Sequence, residues 1–247
     1  MTWNESQTVR EIAISNPATI RVFESLGIDY CCGGRRPLSD ACERANVPVA
    51  RVLEMFAEAD QAPMASETQW NDAPLSAITT HIINKYHTAV RREIVRLQPL
   101  LEKVASKHGA KHSELLSIKE LFTAVAQELY PHMLKEEQFV FPYIQQMEAA
   151  VTAQQPISPA FFGSVQTPIA KLLADHDDAG ELTSKIRTLS NNYQAPAEAC
   201  PSYLGLYRGL EEFERDLHQH VHLENNLLFP KAVEMERSHQ HAVCDCH

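Results

Sequence analysis

The chain has 247 residues, 44% of them hydrophobic and 22% charged, which suits one large globular unit or a small one joined to a medium one. Only 8 glycines and 7% aromatic residues argue against an all-β fold, which needs many turns. A net charge of −10, with Arg35–Arg36 and Arg91–Arg92 as the longest basic runs, argues against nucleic acid or an anionic membrane surface as partner.

The opening stretch "MTWNESQTVREIAIS" is polar and does not read as a signal peptide. No run approaches the roughly 18–20 apolar residues of a membrane span. The cytoplasm is the expected compartment, where cysteines stay reduced and serve as reactive or metal-binding groups more often than as staples.

Residues 8–59 read as short helices. In "SNPATIRVFESLG", Ser15 and Asn16 offer a cap, Pro17 fits the first turn, and Gly27 is the stop. The turn "DYCCGG" follows, and "PLSDACERANV" and "PVARVLEMFAEAD" read as two further helices, with Leu53 and Phe56 on one apolar face. Residues 1–60 form a unit too small to be robust alone, so it is expected to dock on the rest of the chain or to form a homodimer. Residues 61–74 carry two prolines and no period, as a linker does.

From 75 to 237 the pattern is helical, with segments near 75–107, 112–149, 160–190 and 200–237. Four long helices with short connections predict an all-α chain whose larger part is an antiparallel four-helix bundle. Residues 238–247, including Cys244, Cys246 and His247, read as a disordered tail with incidental metal affinity.

An internal repeat carries the chemistry. The stretches "ELYPHMLKEEQFVFP" (128–142) and "DLHQHVHLENNLLFP" (216–230) both read acid-x3-His-x3-Glu-x4-Phe-Pro. His87 lies 45 residues before His132, and His176 lies 44 residues before His220. One helical hairpin is thus used twice, each time with one histidine on its first helix and a His-x3-Glu pair on its second. Residues four apart share a helix face, so His132 points with Glu136 and His220 with Glu224. If those faces turn inward, four imidazoles and two carboxylates meet at one level, forming a two-metal site with bridging carboxylates. That donor set suits iron, manganese or zinc.

A single His-x3-Glu pair is usually a surface feature; it is the duplication that points to metal. Glu128 and Asp216, one turn before the ligand histidines, could orient them, line an access path, or simply be solvated. His218 and His222 are expected at the surface or around the site, and His81 away from it. Phe141–Pro142, Phe229–Pro230 and Pro131 are expected to be structural and to bend their helices.

Together, "DYCCGG", "HIINKYH", "HMLKEEQFVFP", "DHDDAGEL" and "HLENNLLFP" resemble the iron–sulfur cluster repair di-iron proteins, over about residues 5–235. The resemblance implies a small N-terminal cysteine unit and a hemerythrin-like bundle. It implies two non-haem iron ions, oxo- or hydroxo-bridged, held by His87, His132, His176 and His220 with Glu136 and Glu224 as bridges. It further implies damaged iron–sulfur proteins as clients, nitric oxide or oxygen as small ligands, and a role under nitrosative and oxidative stress. A di-iron nitric oxide reductase, or a sensor of nitric oxide or oxygen, is the alternative; whether the chain is an enzyme stays open.

Cys31 and Cys32 are candidate reactive thiols. Adjacent α-carbons stand about 3.8 Å apart, closer than the usual disulfide range, so a bond between them would be strained. A helix start, or Arg35 or Arg36 beside Cys31, would lower its thiol pKa. Packing at a glycine turn is the plain alternative.

Overall fold

The computed structural model describes residues 3–61 and 70–244. Among them there is no β-strand, and regular structure is helical throughout.

Four short helices build the N-terminal unit: α1 (Val9–Ser15), α2 (Ala18–Leu26), α3 (Leu38–Arg44) and α4 (Val49–Gln61). A capping box starts α1: Glu11 N donates to Thr8 Oγ1 at 3.2 Å, and Thr8 N donates to Glu11 Oε2 at 2.8 Å. Asn16 Oδ1 accepts from Ala18 N at 3.0 Å at the start of α2, while Ser15 closes α1. Gly27 ends α2 in the left-handed region, at φ 66°. The core is Val9, Ile12, Phe23, Tyr30, Leu38, Val52 and Phe56, with Leu53 only half-buried. Phe56 meets Phe23 edge-on at 5.3 Å.

The first bundle helix comprises α5 (Leu75–His81), a π turn (Ile82–His87) and α6 (Thr88–His108). The second comprises α7 (Glu114–Lys135), a π turn (Glu136–Val140) and α8 (Phe141–Thr152). The third is α9 (Gln166–Leu189), and the fourth comprises α10 (Pro201–Leu223), a π turn (Glu224–Leu228) and α11 (Phe229–Cys244). Each helix packs on the two next to it in the ring, since α6 meets α7 and α10, and α9 meets the same two. The apolar interior falls into two blocks. One gathers Leu97, Phe122, Leu129, Leu210 and Phe213; the other gathers Ile78, Phe141, Ile144, Leu228 and Phe229. The histidines and glutamates of the repeat lie between these blocks.

The repeated Phe-Pro pairs stand directly after two of the π turns. Phe141 N bonds the Glu136 carbonyl and Phe229 N bonds the Glu224 carbonyl, five residues back. Pro142 and Pro230 have no N–H to continue the α pattern, so each repeat takes one wide turn just where its glutamate sits.

Only part of the linker expected over 61–74 lies within the described residues; Trp70–Asp72 forms a 3₁₀ turn there. In the segment 238–247 set apart as a tail, helix α11 carries the backbone to Cys244, while Cys246 and His247 lie outside the described residues.

Candidate metal centre

His87, His132, Glu136, His176, His220 and Glu224 are all at most 2% exposed, and they meet inside the bundle. Their donor atoms form two groups that share both carboxylates: His87 and His220 with the two glutamates, and His132 and His176 with the same two. Each imidazole pair therefore crosses from one hairpin to the other. Within the pairs, His87 Nε2 lies 3.2 Å from His220 Nε2, and His132 Nε2 lies 3.0 Å from His176 Nε2.

Each carboxylate faces both pairs. Glu136 Oε2 lies 3.4 Å from His87 Nε2, and Glu136 Oε1 lies 3.3 Å from His132 Nε2. Glu224 Oε1 lies 2.9 Å from His220 Nε2, and Glu224 Oε2 lies 3.1 Å from His176 Nε2. Yet Glu136 Oε1 and Oε2 and Glu224 Oε2 receive no directed hydrogen bond among the described residues. An unpaired buried polar atom costs about 1–3 kcal/mol, and more when charged. Three such atoms at one point, ringed by imidazole nitrogens, fit a bound cation. Burial and the neighbouring Glu224 raise the Glu136 pKa, but the histidines more than cancel this and leave it lowered. Burial likewise acts to lower His132, yet Glu136 and Glu224 prevail and push it up to about 9.

Three of the four outer ring nitrogens have a partner. His87 Nδ1 meets Glu137 Oε1 at 2.6 Å, and Arg91 Nη2 donates to that same oxygen at 2.8 Å. His132 Nδ1 meets Asp175 Oδ2 at 3.3 Å, and Lys135 Nζ meets that oxygen at 3.2 Å. His176 Nδ1 meets Asn225 Oδ1 at 2.7 Å. His220 Nδ1 has no hydrogen-bond partner among the described residues. The Tyr86 ring instead stacks on that imidazole at 5.6 Å. The repeated phenylalanines back the first-helix histidine of their own hairpin: Phe141 lies 5.8 Å from His87 and Phe229 lies 6.1 Å from His176, both stacked.

Glu128 and Asp216 are not among these partners. Glu128 is exposed and Asp216 half-buried, and neither bonds a histidine of the cluster. A side chain one turn back sits about 6 Å along the axis, whereas Nδ1 of His87, His132 and His176 is met sideways from the next helix. The missed partners Glu137 and Asn225 each follow a repeat glutamate, and Asp175 precedes His176. Extending the repeat alignment by one residue would have drawn attention to two of them. His222 is buried and His218 half-buried at the edge of a groove, and neither bonds a histidine of the cluster. They lie beneath the N-terminal unit, with ring centres 5.4 and 6.3 Å from that of Tyr30. His81 packs against Trp70 at 4.4 Å, away from the cluster.

The N-terminal unit docks beside the centre. Arg10 Nη2 donates to Asn226 O at 2.8 Å, Asn226 Nδ2 to Tyr30 O at 3.0 Å, and Asn225 Nδ2 to Cys31 O at 3.3 Å. Asp29 shapes the thiol turn, accepting from the backbone N of Cys31, Cys32 and Gly33 at 3.1, 3.0 and 2.9 Å. Cys31 is buried and Cys32 half-buried; they form no disulfide, and Cys31 Sγ donates to Cys32 Sγ at 3.8 Å. The expected arginine influence on Cys31 is replaced by a carboxylate. The hydrogen bond with Cys32, burial and nearby Asp29 push the Cys31 thiol well above the ordinary range. Cys32 Sγ reaches His176 O at 3.7 Å and lines an open groove of about 970 Å³ between the two units.

Residues 79–232 match the hemerythrin HHE cation binding domain, and residues 5–60 match a domain of unknown function found at the N-terminus of ScdA. The iron-sulfur cluster repair protein YtfE of Citrobacter koseri is 35% identical over 227 residues, covering 92% of this chain and 96% of that protein. The protein of the same name from Musicola paradisiaca is 34% identical over 230 residues, covering 93% and 97%. The chain belongs to the YtfE family of iron–sulfur cluster repair proteins. A YtfE-type chain with a cation-binding bundle accords with a buried cluster whose carboxylate oxygens lack partners. No described helix is long and apolar enough to cross a membrane.

Proposed function

We propose that the chain repairs iron–sulfur clusters damaged by nitric oxide or oxidants, using two iron ions held by His87, His132, Glu136, His176, His220 and Glu224. Its clients would be damaged iron–sulfur proteins of the cytoplasm. The observation that carries this reading is that Glu136 and Glu224 each aim one oxygen at each imidazole pair. When bound, the iron pair supplies redox reactivity toward nitric oxide or oxygen and a store of iron for a client. The residues do the rest. Glu137, Asp175 and Asn225 hold the Nδ1 protons of three rings, which keeps each Nε2 free to ligate. The stacked Phe141 and Phe229 fix ring planes and exclude water. Cys31 and Cys32 line the groove, and Cys32 touches the backbone oxygen of His176, which places the thiols to take up iron or nitric oxide or to face a client.

The test pairs iron content with reactivation of an iron–sulfur enzyme inactivated by nitric oxide. The wild-type chain is expected to carry about two irons and to restore activity, and the double variant His132→Ala, Glu136→Ala to lose both properties. A double variant with full iron and full repair would overturn the assignment.

A further inference from the structure

Glu224, Asn225 and Asn226 follow one another in the π turn Glu224–Leu228, and each has a different task. Glu224 faces both imidazole pairs. Asn226 bonds the N-terminal unit through Tyr30 O and accepts from Arg10 on its own carbonyl. Asn225, between them, touches both sides. Its Oδ1 meets His176 Nδ1 at 2.7 Å, and its Nδ2 donates to Cys31 O at 3.3 Å.

An amide has one accepting and one donating end, fixed in a plane. His176 Nε2 faces Glu224 and the cluster, so the ring proton belongs on Nδ1, and only an acceptor can meet it. Turning the amide over would set NH₂ against that N–H. The Cys31 carbonyl therefore selects the orientation that His176 needs. The matching position in the first repeat is Glu137. A carboxylate has no donating end to satisfy, and Glu137 is tied to Arg91 within the bundle. Among the described residues, no hydrogen bond of His87, His220 or Glu137 reaches the thiol turn, while the His132/His176 pair has two contacts with it, through Asn225 and through Cys32 Sγ against His176 O.

We propose that Asn225 is a positioning residue that couples the seated Cys31–Cys32 turn to the His132/His176 half of the centre, so that metal in that half and the seated turn stabilise each other. The inference rests on the two-ion reading above. It makes the ions unequal: lifting the N-terminal unit loosens one and leaves the other. Reciprocity follows, because a turn that strengthens metal binding must itself be held more firmly when metal is present.

The test uses the full chain loaded with ferrous iron without oxygen. Iron per chain, its rate of loss to a chelator, and the alkylation rate of Cys32 with and without iron are measured. Mass mapping separates Cys32 from the other free thiols, which include Cys42 and Cys200. In the wild type, iron is expected to slow Cys32 alkylation about tenfold, the low end for an orienting partner of a metal-bound histidine. In Asn225→Ala, one of the two ions is expected to leave about tenfold faster, the other at its former rate, and alkylation to lose its dependence on iron. Asn225→Asp keeps the acceptor for His176 but sets an oxygen against Cys31 O. It is expected to retain both ions while Cys32 loses its protection. Arg10→Ala frees a docking bond without touching a cluster histidine, and is expected to speed loss of the same single ion by a smaller factor. It also serves if Asn225→Ala does not fold. A wild-type chain that loads two ions, with variants that leave both release phases and the alkylation unchanged or that speed both ions equally, overturns the coupling alone. A wild-type chain that takes up no second ion overturns the two-ion reading, and the coupling with it.

Discussion

The His87/His220 pair and the His132/His176 pair share both carboxylates and differ in what surrounds their rings. In the second pair both outer nitrogens are held, by Asp175 and Asn225. In the first, Glu137 holds His87, and His220 has the face of Tyr86 instead of an acceptor. The residues responsible occupy matching places in the repeat: Tyr86 precedes His87 as Asp175 precedes His176, and Glu137 follows Glu136 as Asn225 follows Glu224. A duplicated hairpin has kept its inward-facing donors and diverged in the residues beside them. The inner set fixes what can bind, and the outer set fixes how firmly each position holds it.

The largest expected effect breaks the sharing. Glu136→Ala or Glu224→Ala removes a donor from both halves, and bound metal is expected to fall from about two ions to about none. His220→Ala removes a donor from one half, and metal is expected to fall to about one. Elemental analysis of the purified variants checks this, and equal losses from the glutamate and histidine variants would show that the halves do not share their carboxylates.

Next in size is an effect confined to one half. Glu137→Ala is expected to weaken the His87/His220 position, and Asp175→Ala the His132/His176 position, by about 10–100-fold each. Competition titration with a chelator reads the two affinities. If both variants weakened the same step, the separate assignment of these carboxylates would fail.

The smallest effect concerns the turn beside the second pair. A thiol pushed upward yields its thiolate only above its own raised pKa, so reactivity is low at neutral pH and climbs as pH rises through that value. In the folded chain, Cys31 is expected to alkylate more slowly at pH 7 than an exposed cysteine, and to gain rate only above about 8.5, the ordinary thiol value. A plateau below that pH would show that an unrecognised positive group faces the sulfur.

Much of the centre is legible in the sequence. Spacing alone selects His87, His132, His176, His220, Glu136 and Glu224, because a four-residue step repeats a helix face and the chain repeats the step. The crossing of the pairs between hairpins was not legible, since it depends on how the helices close into a ring. Nor were the outer partners. Periodicity ranks residues by the face they share with a ligand, which offers Glu128 and Asp216 as no more than one option beside solvation; ring nitrogens that point sideways are met from the neighbouring helix. Docking of the small unit was anticipated as one of two options, but its footing on Asn225 and Asn226 needed the π turn, which no helical period reveals.

The Cys32 sulfur belongs to two environments. On one side it borders a groove open to solvent; on the other it touches the backbone oxygen of His176, whose ring reaches into the buried cluster. The wall between the open cleft and the heart of the bundle is thus a single residue thick. A body too bulky to thread between the helices, such as a protein presenting a broken cluster on its surface, need only reach the floor of that cleft to stand one side chain away.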